Sequence, residues 1–184
     1  RHDPDHPMPY WGMAHAMGPN PNSRYSGMPD DPKGEGFKAI KKAMDRIENA
    51  SDMEAKLIHA LHTLYDKDTY PDAKRRDQAY LAAMRKLNRD YPNDPDIAAL
   101  YASSYMSIQR WNYWDDQGEP ISETLAVAEA LEHIMSKDLS HPGVLHLHIH
   151  LIEASAEPER ALVAADNLER TIPIVGHVVH MPSH

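Results

Sequence analysis

The sequence predicts an all-α fold made of paired helices, and three observations support this. Apolar residues recur with a helical period along most of the chain, and no segment shows the strict alternation of a half-buried strand. Short runs of Pro, Gly, Asn and Asp separate these segments, as expected where helices stop and start. Two motifs near the end of the chain recur at a fixed spacing, which is typical of helical-hairpin repeats.

Eight helices follow from this pattern, with the starts of several marked by capping residues. The predicted ranges are 10–17, 35–49, 51–65, 72–90, 94–109, 122–137, 142–154 and 158–170. Ser51 and Ser122 precede acidic first turns and are predicted N-caps, His141 is a predicted helix-entry residue, and Pro158 suits a first helical position. Between the helices we expect an irregular loop at 18–34, which is rich in Pro, Gly, Asn and Ser, and an aromatic insert at 111–120.

A spacing of 34 residues relates the last two histidine motifs. His146 lies 34 residues before His180, and His150 lies 34 residues before His184. Thirty-four residues is the period of the tetratricopeptide repeat, in which each repeat is one helical hairpin. We therefore expect a single domain over 1–184, an α–α superhelix of tetratricopeptide-like hairpins that is an incomplete piece of a longer array.

Composition narrows the classes of partner and cofactor. The formal charge is −9 and the one basic stripe, near 74–76, is typical of a solvated helix face, so no nucleic-acid partner is expected. The apolar runs are far shorter than the ~20 residues of a membrane helix, so no membrane span is expected. The chain has no cysteine, so a metal ion would have histidine and carboxylate ligands.

Six motifs occur together along the chain. They are Tyr10-Trp11-Gly12, the turn from Gly18 to Asn22, the insert from Trp111 to Trp114, H-x-x-I-H-x-x-E from His146 to Glu153, Pro158-Glu-Arg-Ala161, and G-H-x-x-H-M-P-x-H from Gly176 to His184. Together they resemble a family of bacterial tetratricopeptide-repeat proteins over nearly the whole chain. The resemblance implies an α-helical repeat fold that continues past residue 184, and it implies no particular reaction. The compartment is not assigned: a soluble protein of the bacterial periplasm or of the cytoplasm is expected. His15 departs from the family pattern, which has an apolar residue there.

His146, His150 and Glu153 are predicted to share one face of a helix. Their positions, i, i+4 and i+7, lie within roughly 60° of one another around the helix axis. Two imidazoles one turn apart, followed by a carboxylate, form a ligand geometry related to that of H-E-x-x-H enzymes. Because no glutamate follows the first histidine, the mechanism of those enzymes does not transfer. His148 points to nearly the opposite side and is predicted to be dispensable for the site.

The second motif supplies the other half of a candidate metal site. Equivalent helices of neighbouring repeats pack about 8–10 Å apart, so His180 is expected beside His146, and His184 beside His150. A last helix that begins only at Pro182 would instead leave His177 and His180 in the preceding turn. The candidate ligands are His146, His150, Glu153, His177, His180 and His184. Six ligands exceed the needs of one tetrahedral zinc and suit two metal ions, or one ion with further histidines behind its ligands. The candidate ions are copper, iron and zinc.

Two functions of different classes fit these patterns. The first is a helical-repeat protein that binds a transition metal through the His/Glu cluster; in a metalloenzyme the ion would activate water or dioxygen, with Glu153 as ligand or base. The second is a metal-free tetratricopeptide adaptor that binds a protein or peptide in its concave face. Crowded histidines without a metal would repel one another when protonated, which favours the first function. Catalytic residues, an organic cofactor and an oligomeric state are not assigned.

Residues outside the cluster are expected to have structural roles. His59, His62 and His133 occur singly on predicted helices, where histidines usually pack or face solvent. The aromatic residues Trp11, Tyr105, Trp111, Tyr113 and Trp114 are expected to pack in the core or between repeats, with a ligand groove as the alternative.

Overall fold

The computed structural model describes residues 3–22 and 31–184 and confirms the all-α fold class for that part of the chain. Its α-helices are α1 (Met8–Met17), α2 (Glu35–Met44), α3 (Asp52–His62), α4 (Ala73–Asp90), α5 (Pro95–Gln109), α6 (Thr124–Met135), α7 (Pro142–Ile152), α8 (Leu162–Leu168) and α9 (Gly176–His180). Short 3₁₀ helices follow at Ile47–Asn49, Pro158–Ala161 and Met181–Ser183. Residues 23–30 of the predicted loop at 18–34 lie outside the described ranges. None of the described helices has the length and apolar character to cross a membrane.

Local sequence explains where several helices begin. Ser51 Oγ accepts a hydrogen bond from the Glu54 backbone N–H, and the Glu54 carboxylate accepts one from Ser51 N–H at 2.8 Å, which completes a capping box at α3. Asp94 caps α5 by accepting from Ile97 N–H. His141 caps α7 through its Nδ1, so its predicted role at a helix entry is confirmed.

Ser122 is not the N-cap of α6, and that prediction is wrong. The helix begins at Thr124, and Ser122 lies outside it with a left-handed φ of 57°. The reason is tertiary: the Thr124 hydroxyl is buried and donates to the carbonyls of Tyr113 and Ile121, which fixes the start of the helix two residues late. Pro158 begins a 3₁₀ helix that leads into α8, close to the predicted helix start.

The chain divides between Leu87 and Asn88 into two compact units. In the first, α1, α2 and α3 contact one another around a buried apolar core. Tyr65 ties this unit together, because its hydroxyl donates to the Ala14 carbonyl at 2.5 Å and lies where a side chain on Gly36 would be. The predicted single domain and superhelix over 1–184 stay predictions.

In the second unit α7 lies at the centre, in contact with α5, α6, α8 and the final 3₁₀ helix. One face of α7 is buried: Val144, Leu145, His148, Ile149, Leu151 and Ile152. The helix therefore has a fixed position in the core and presents its remaining face toward the end of the chain.

The 111–120 insert braces the C-terminal end of α7. Within it, Trp114 and Pro120 pair in an isolated bridge, and the turn at Gly118 (φ 76°) leaves no room for a side chain against Ala156. The Trp114 indole N–H donates to the Leu151 carbonyl at 2.6 Å. This carbonyl is one of the last four of α7, which lack a partner within the helix. Tyr113 is buried in the core.

Candidate metal centre

Three of the six predicted ligands lie along the exposed edge of α7, on one face as predicted. The His146 and His150 rings lie one turn apart with centroids 5.0 Å from each other. Glu153 is the C-cap residue of the helix, and its Oε1 lies 3.3 Å from His150 Nδ1. All three side chains are half-buried, because the opposite face of the helix is packed in the core.

The other three ligands approach from α9 and the 3₁₀ helix after it. Val178 and Met181 are buried and hold this segment against the unit, while its histidines remain exposed. His177 Nε2 lies 3.3 Å from His146 Nε2, and His184 Nδ1 lies 2.7 Å from Glu153 Oε2. His180 Nε2 lies 3.0 Å from His184 Nε2. The structure thus brings all six predicted residues into one cluster.

The pairing across the two segments differs partly from the prediction. His184 packs against His150 as expected, with ring centroids 5.1 Å apart. The partner of His146 is His177, however, so the prediction that His180 lies beside it is wrong. The helix that carries His177 and His180 ends after five residues and tightens into a 3₁₀ turn, which has three residues per turn and shifts the register. The alternative of a helix that begins only at Pro182 is also wrong.

Two groups of three ligand atoms are close enough to hold a metal ion. They are His146, His150 and His177, and His150, Glu153 and His184, with the ligand atoms of each group within 4.8 Å of one another. Two ligands bound to a tetrahedral ion at about 2.0–2.1 Å are about 3.3–3.4 Å apart. The separations of 3.3 Å between His146 and His177, and between His150 and Glu153, match that spacing.

Burial favours the neutral form of two of these imidazoles, His146 and His150. Burial lowers the pKa of His146 to about 4, with smaller contributions from His150, His177 and His184. Burial also lowers the pKa of His150, although its hydrogen bond with Glu153 opposes the shift. A metal ion binds the neutral form of imidazole, so ligands of this kind need not lose a proton first at neutral pH.

Trp111 is a neighbour of the site that the sequence prediction did not place there. Its indole contacts the His150 ring edge-on, with centroids 4.7 Å apart, and 38% of the residue is exposed. Arg110 and Trp111 both have left-handed backbones, with φ of 52° and 71°. Such conformations cost about 1–3 kcal/mol and are concentrated at functional sites. The only feature of the sequence that could have indicated this contact is the aromatic character of the 111–120 insert.

No family model, curated protein or solved structure matches this chain. The case for a metal centre therefore rests on the geometry of the cluster.

His148 faces away from the cluster, as predicted, and has a structural role. It is buried, and its Nε2–H donates to Glu132 Oε1 of α6 at 3.1 Å. Arg160, in the 3₁₀ helix Pro158–Ala161, donates to the same oxygen at 2.7 Å. Burial lowers the pKa of His148 despite the nearby carboxylate. This network joins α6, α7 and the 3₁₀ helix behind the cluster. That His148 is dispensable for metal binding stays a prediction.

The remaining histidines with earlier predictions lie elsewhere. His15 stacks on Trp11 in the first unit, with ring centroids 5.2 Å apart. His133 contacts Asn93 on the surface of the second unit. Neither of them, nor His59 or His62, belongs to a potential metal group within the described residues.

Proposed function

We propose that this protein binds transition-metal ions through the six-residue His/Glu cluster. One observation carries the proposal: two potential ligand groups, built from α7 and from the segment that contains α9, each have three ligand atoms within 4.8 Å. These elements are far apart in sequence, and only the fold brings their side chains together.

The chemistry of the ligands indicates the class of ion. The cluster offers imidazole nitrogens and one carboxylate, a set that suits zinc, copper, iron and nickel better than calcium or magnesium. Three protein ligands leave a coordination position open, which is the difference between a catalytic and a closed structural zinc site. A water molecule or a substrate atom would occupy that position.

Elemental analysis of the protein purified without a His tag tests the proposal. We expect stoichiometric transition metal in the wild type and a loss of most of it in the His146→Ala/His150→Ala variant. A matched control, His59→Ala/His133→Ala, removes two imidazoles outside the cluster and should keep the metal. The proposal is overturned if the wild type binds none of zinc, copper, iron or nickel when each is offered in turn. Equal metal content in the wild type and the cluster variant would overturn it too.

Thermal unfolding gives a second measurement. An ion that binds only the folded state stabilises it by about 2.7 kcal/mol at a free concentration of 100 times Kd. In a protein of this size each kcal/mol raises Tm by about 2–4 °C, so a rise of about 5–11 °C is expected. The cluster variant should show no such rise, while the control variant should match the wild type.

The tetratricopeptide arrangement belongs to the same proposal. The 34-residue spacing and the contact between the consecutive helices α6 and α7 support it. If no metal ion binds, the metal-free repeat adaptor becomes the favoured function.

A further inference from the structure

We propose that the centre holds two metal ions and that the His150 imidazole lies between them, with one ring nitrogen bound to each. This inference rests on the proposed metal binding and specifies its stoichiometry and its shared ligand. The two ions would occupy the two groups described above, which have His150 in common.

The separation of the groups argues against a single ion. Two atoms bound to one ion at about 2.2 Å can be at most about 4.4 Å apart. The two groups contain five residues, because His150 belongs to both. Their ligand atoms do not form one set of mutually close atoms; they form two sets of three. One ion therefore cannot bind both sets unless α9 moves relative to α7. Two ions require only small decreases in the distances between ligand atoms within each set.

The orientation of His150 explains how both groups can use it. Its Nδ1 faces Glu153 Oε1, which assigns this nitrogen to the group with Glu153 and His184. The lone pairs of the two ring nitrogens diverge, so Nε2 is left for the group with His146 and His177. His146 meets His177 through Nε2 of both rings, a close pair of nitrogens that an ion between them would join.

The coordination chemistry balances without a further reactant. The first ion binds one nitrogen of neutral His150, and the second takes the place of the remaining N–H proton, which leaves to solvent. Two metal–nitrogen bonds form and one N–H bond breaks, so the ring becomes an imidazolate with a charge of −1. Glu153 adds a second negative charge to the centre.

His180 has a different role in this arrangement. Because His184 Nδ1 faces Glu153, its other nitrogen, Nε2, is directed to His180 Nε2 at 3.0 Å. A proton on His184 Nε2 that is donated to His180 fixes the tautomer in which Nδ1 is free to bind metal. Histidine ligands commonly have such a partner on the second nitrogen. His180 thus positions His184 and is not itself one of the shared set.

Titration of the chelator-treated, untagged protein with Cu(II) tests this inference, followed by binding stoichiometry and electron paramagnetic resonance. We expect two ions per chain. An imidazolate bridge places them about 6 Å apart, from the ring width and two metal–nitrogen bonds of about 2 Å. The integrated signal should therefore rise with the first equivalent and fall well below two spins with the second, because the two spins couple through the ring.

Two variants sharpen the result. His146→Ala removes only one group, so it should bind one ion with a full, uncoupled signal. His133→Ala is the matched control outside the cluster and should retain two coupled ions. Circular dichroism confirms that each variant is folded.

The outcomes separate this inference from the proposed function. If no ion binds to the wild type, both fail. A stoichiometry of one leaves metal binding intact and overturns the two-ion centre. Two ions with an undiminished two-spin signal overturn the shared His150, as do two coupled ions in His146→Ala.

Discussion

Glu132→Ala is the most informative perturbation of the core behind the cluster. One carboxylate oxygen of Glu132 accepts from His148 at 3.1 Å and from Arg160 at 2.7 Å, so a single truncation removes both contacts. The helix that bears His148 also carries His146, His150 and Glu153, and the network fixes it against α6 and the 3₁₀ helix.

The size of the effect follows from the burial of each partner. The other ring nitrogen of His148, Nδ1, is buried without a hydrogen-bond partner among the described residues. Without Glu132, Nε2–H of this buried ring also loses its partner, at a cost of about 1–3 kcal/mol. The Arg160 side chain is 30% exposed and can be hydrated, so its lost ion pair adds only about 0–1 kcal/mol. We expect a loss of about 1–4 kcal/mol.

Urea unfolding followed by circular dichroism measures this change in the metal-free protein. Glu132→Gln retains an oxygen that can accept from His148 and should lose less than about half as much, because the buried hydrogen bond is the larger contribution. Glu129→Ala is the matched control on the exposed side of α6, with an expected change within about 0.5 kcal/mol. A Glu132→Ala effect no larger than that of Glu129→Ala would refute the reasoning.

Three further predictions concern other contacts. Ser51→Ala removes the capping box of α3 and should destabilise the protein by about 1 kcal/mol, measured by urea unfolding. Thr124→Val removes the buried hydroxyl that donates to the Tyr113 carbonyl, which keeps its hydrogen bond from the Ile121 N–H, so the change should cost about 0.5–1.5 kcal/mol, with faster exchange of amides in the 111–120 insert. Acid should destabilise the metal-free protein. The pKa of His146 is lowered to about 4 in the folded state, so the unfolded chain takes up the proton first as the pH falls. The stability that neutral His146 contributes is therefore complete above about pH 6.5 and is lost between pH 6.5 and 4. This loss is about 1–2 kcal/mol, after allowance for the solvent-exposed edge of the ring.

Each of these predictions has a control. Ser51→Asp keeps a capping oxygen and should unfold like the wild type, and Thr124→Ser keeps the hydroxyl donor. For the acid effect, His146→Gln should show a smaller loss of stability between pH 7 and 5 than the wild type, with a chelator present. An identical pH dependence in both proteins would contradict the assignment to His146.

Helix positions were predictable because their signals are local. A capping serine, aspartate or histidine accepts a hydrogen bond from a backbone N–H within three residues of it, as Ser51 and His141 do. Ser122 carries the same local signal and fails, because the buried hydroxyl of Thr124 bonds to the insert and fixes a later start. Tertiary hydrogen bonds of this kind have no counterpart in a local pattern.

The candidate site shows the same division. The face shared by His146, His150 and Glu153 follows from helix geometry alone, and the 34-residue period places His184 beside His150. It misplaces the partner of His146, because the period assumes a full second helix where the chain forms five α-helical residues and a 3₁₀ turn. The contacts of Trp111 and His148 depend on distant elements, so neither spacing nor periodicity could supply them.

The pairing of His146 with His177 has a consequence for the integrity of the chain end. The segment that carries α9 is held by the buried side chains of Val178 and Met181. An ion bound by both histidines would cross-link residues 31 positions apart, in a chain that has no cysteine to form a disulfide. A covalent closure of such a loop removes entropy from the unfolded chain worth about 3–4 kcal/mol. The metal would thus act as a reversible cross-link between the end of the chain and α7. A chelator should expose the last turns to proteases before the rest of the unit unfolds.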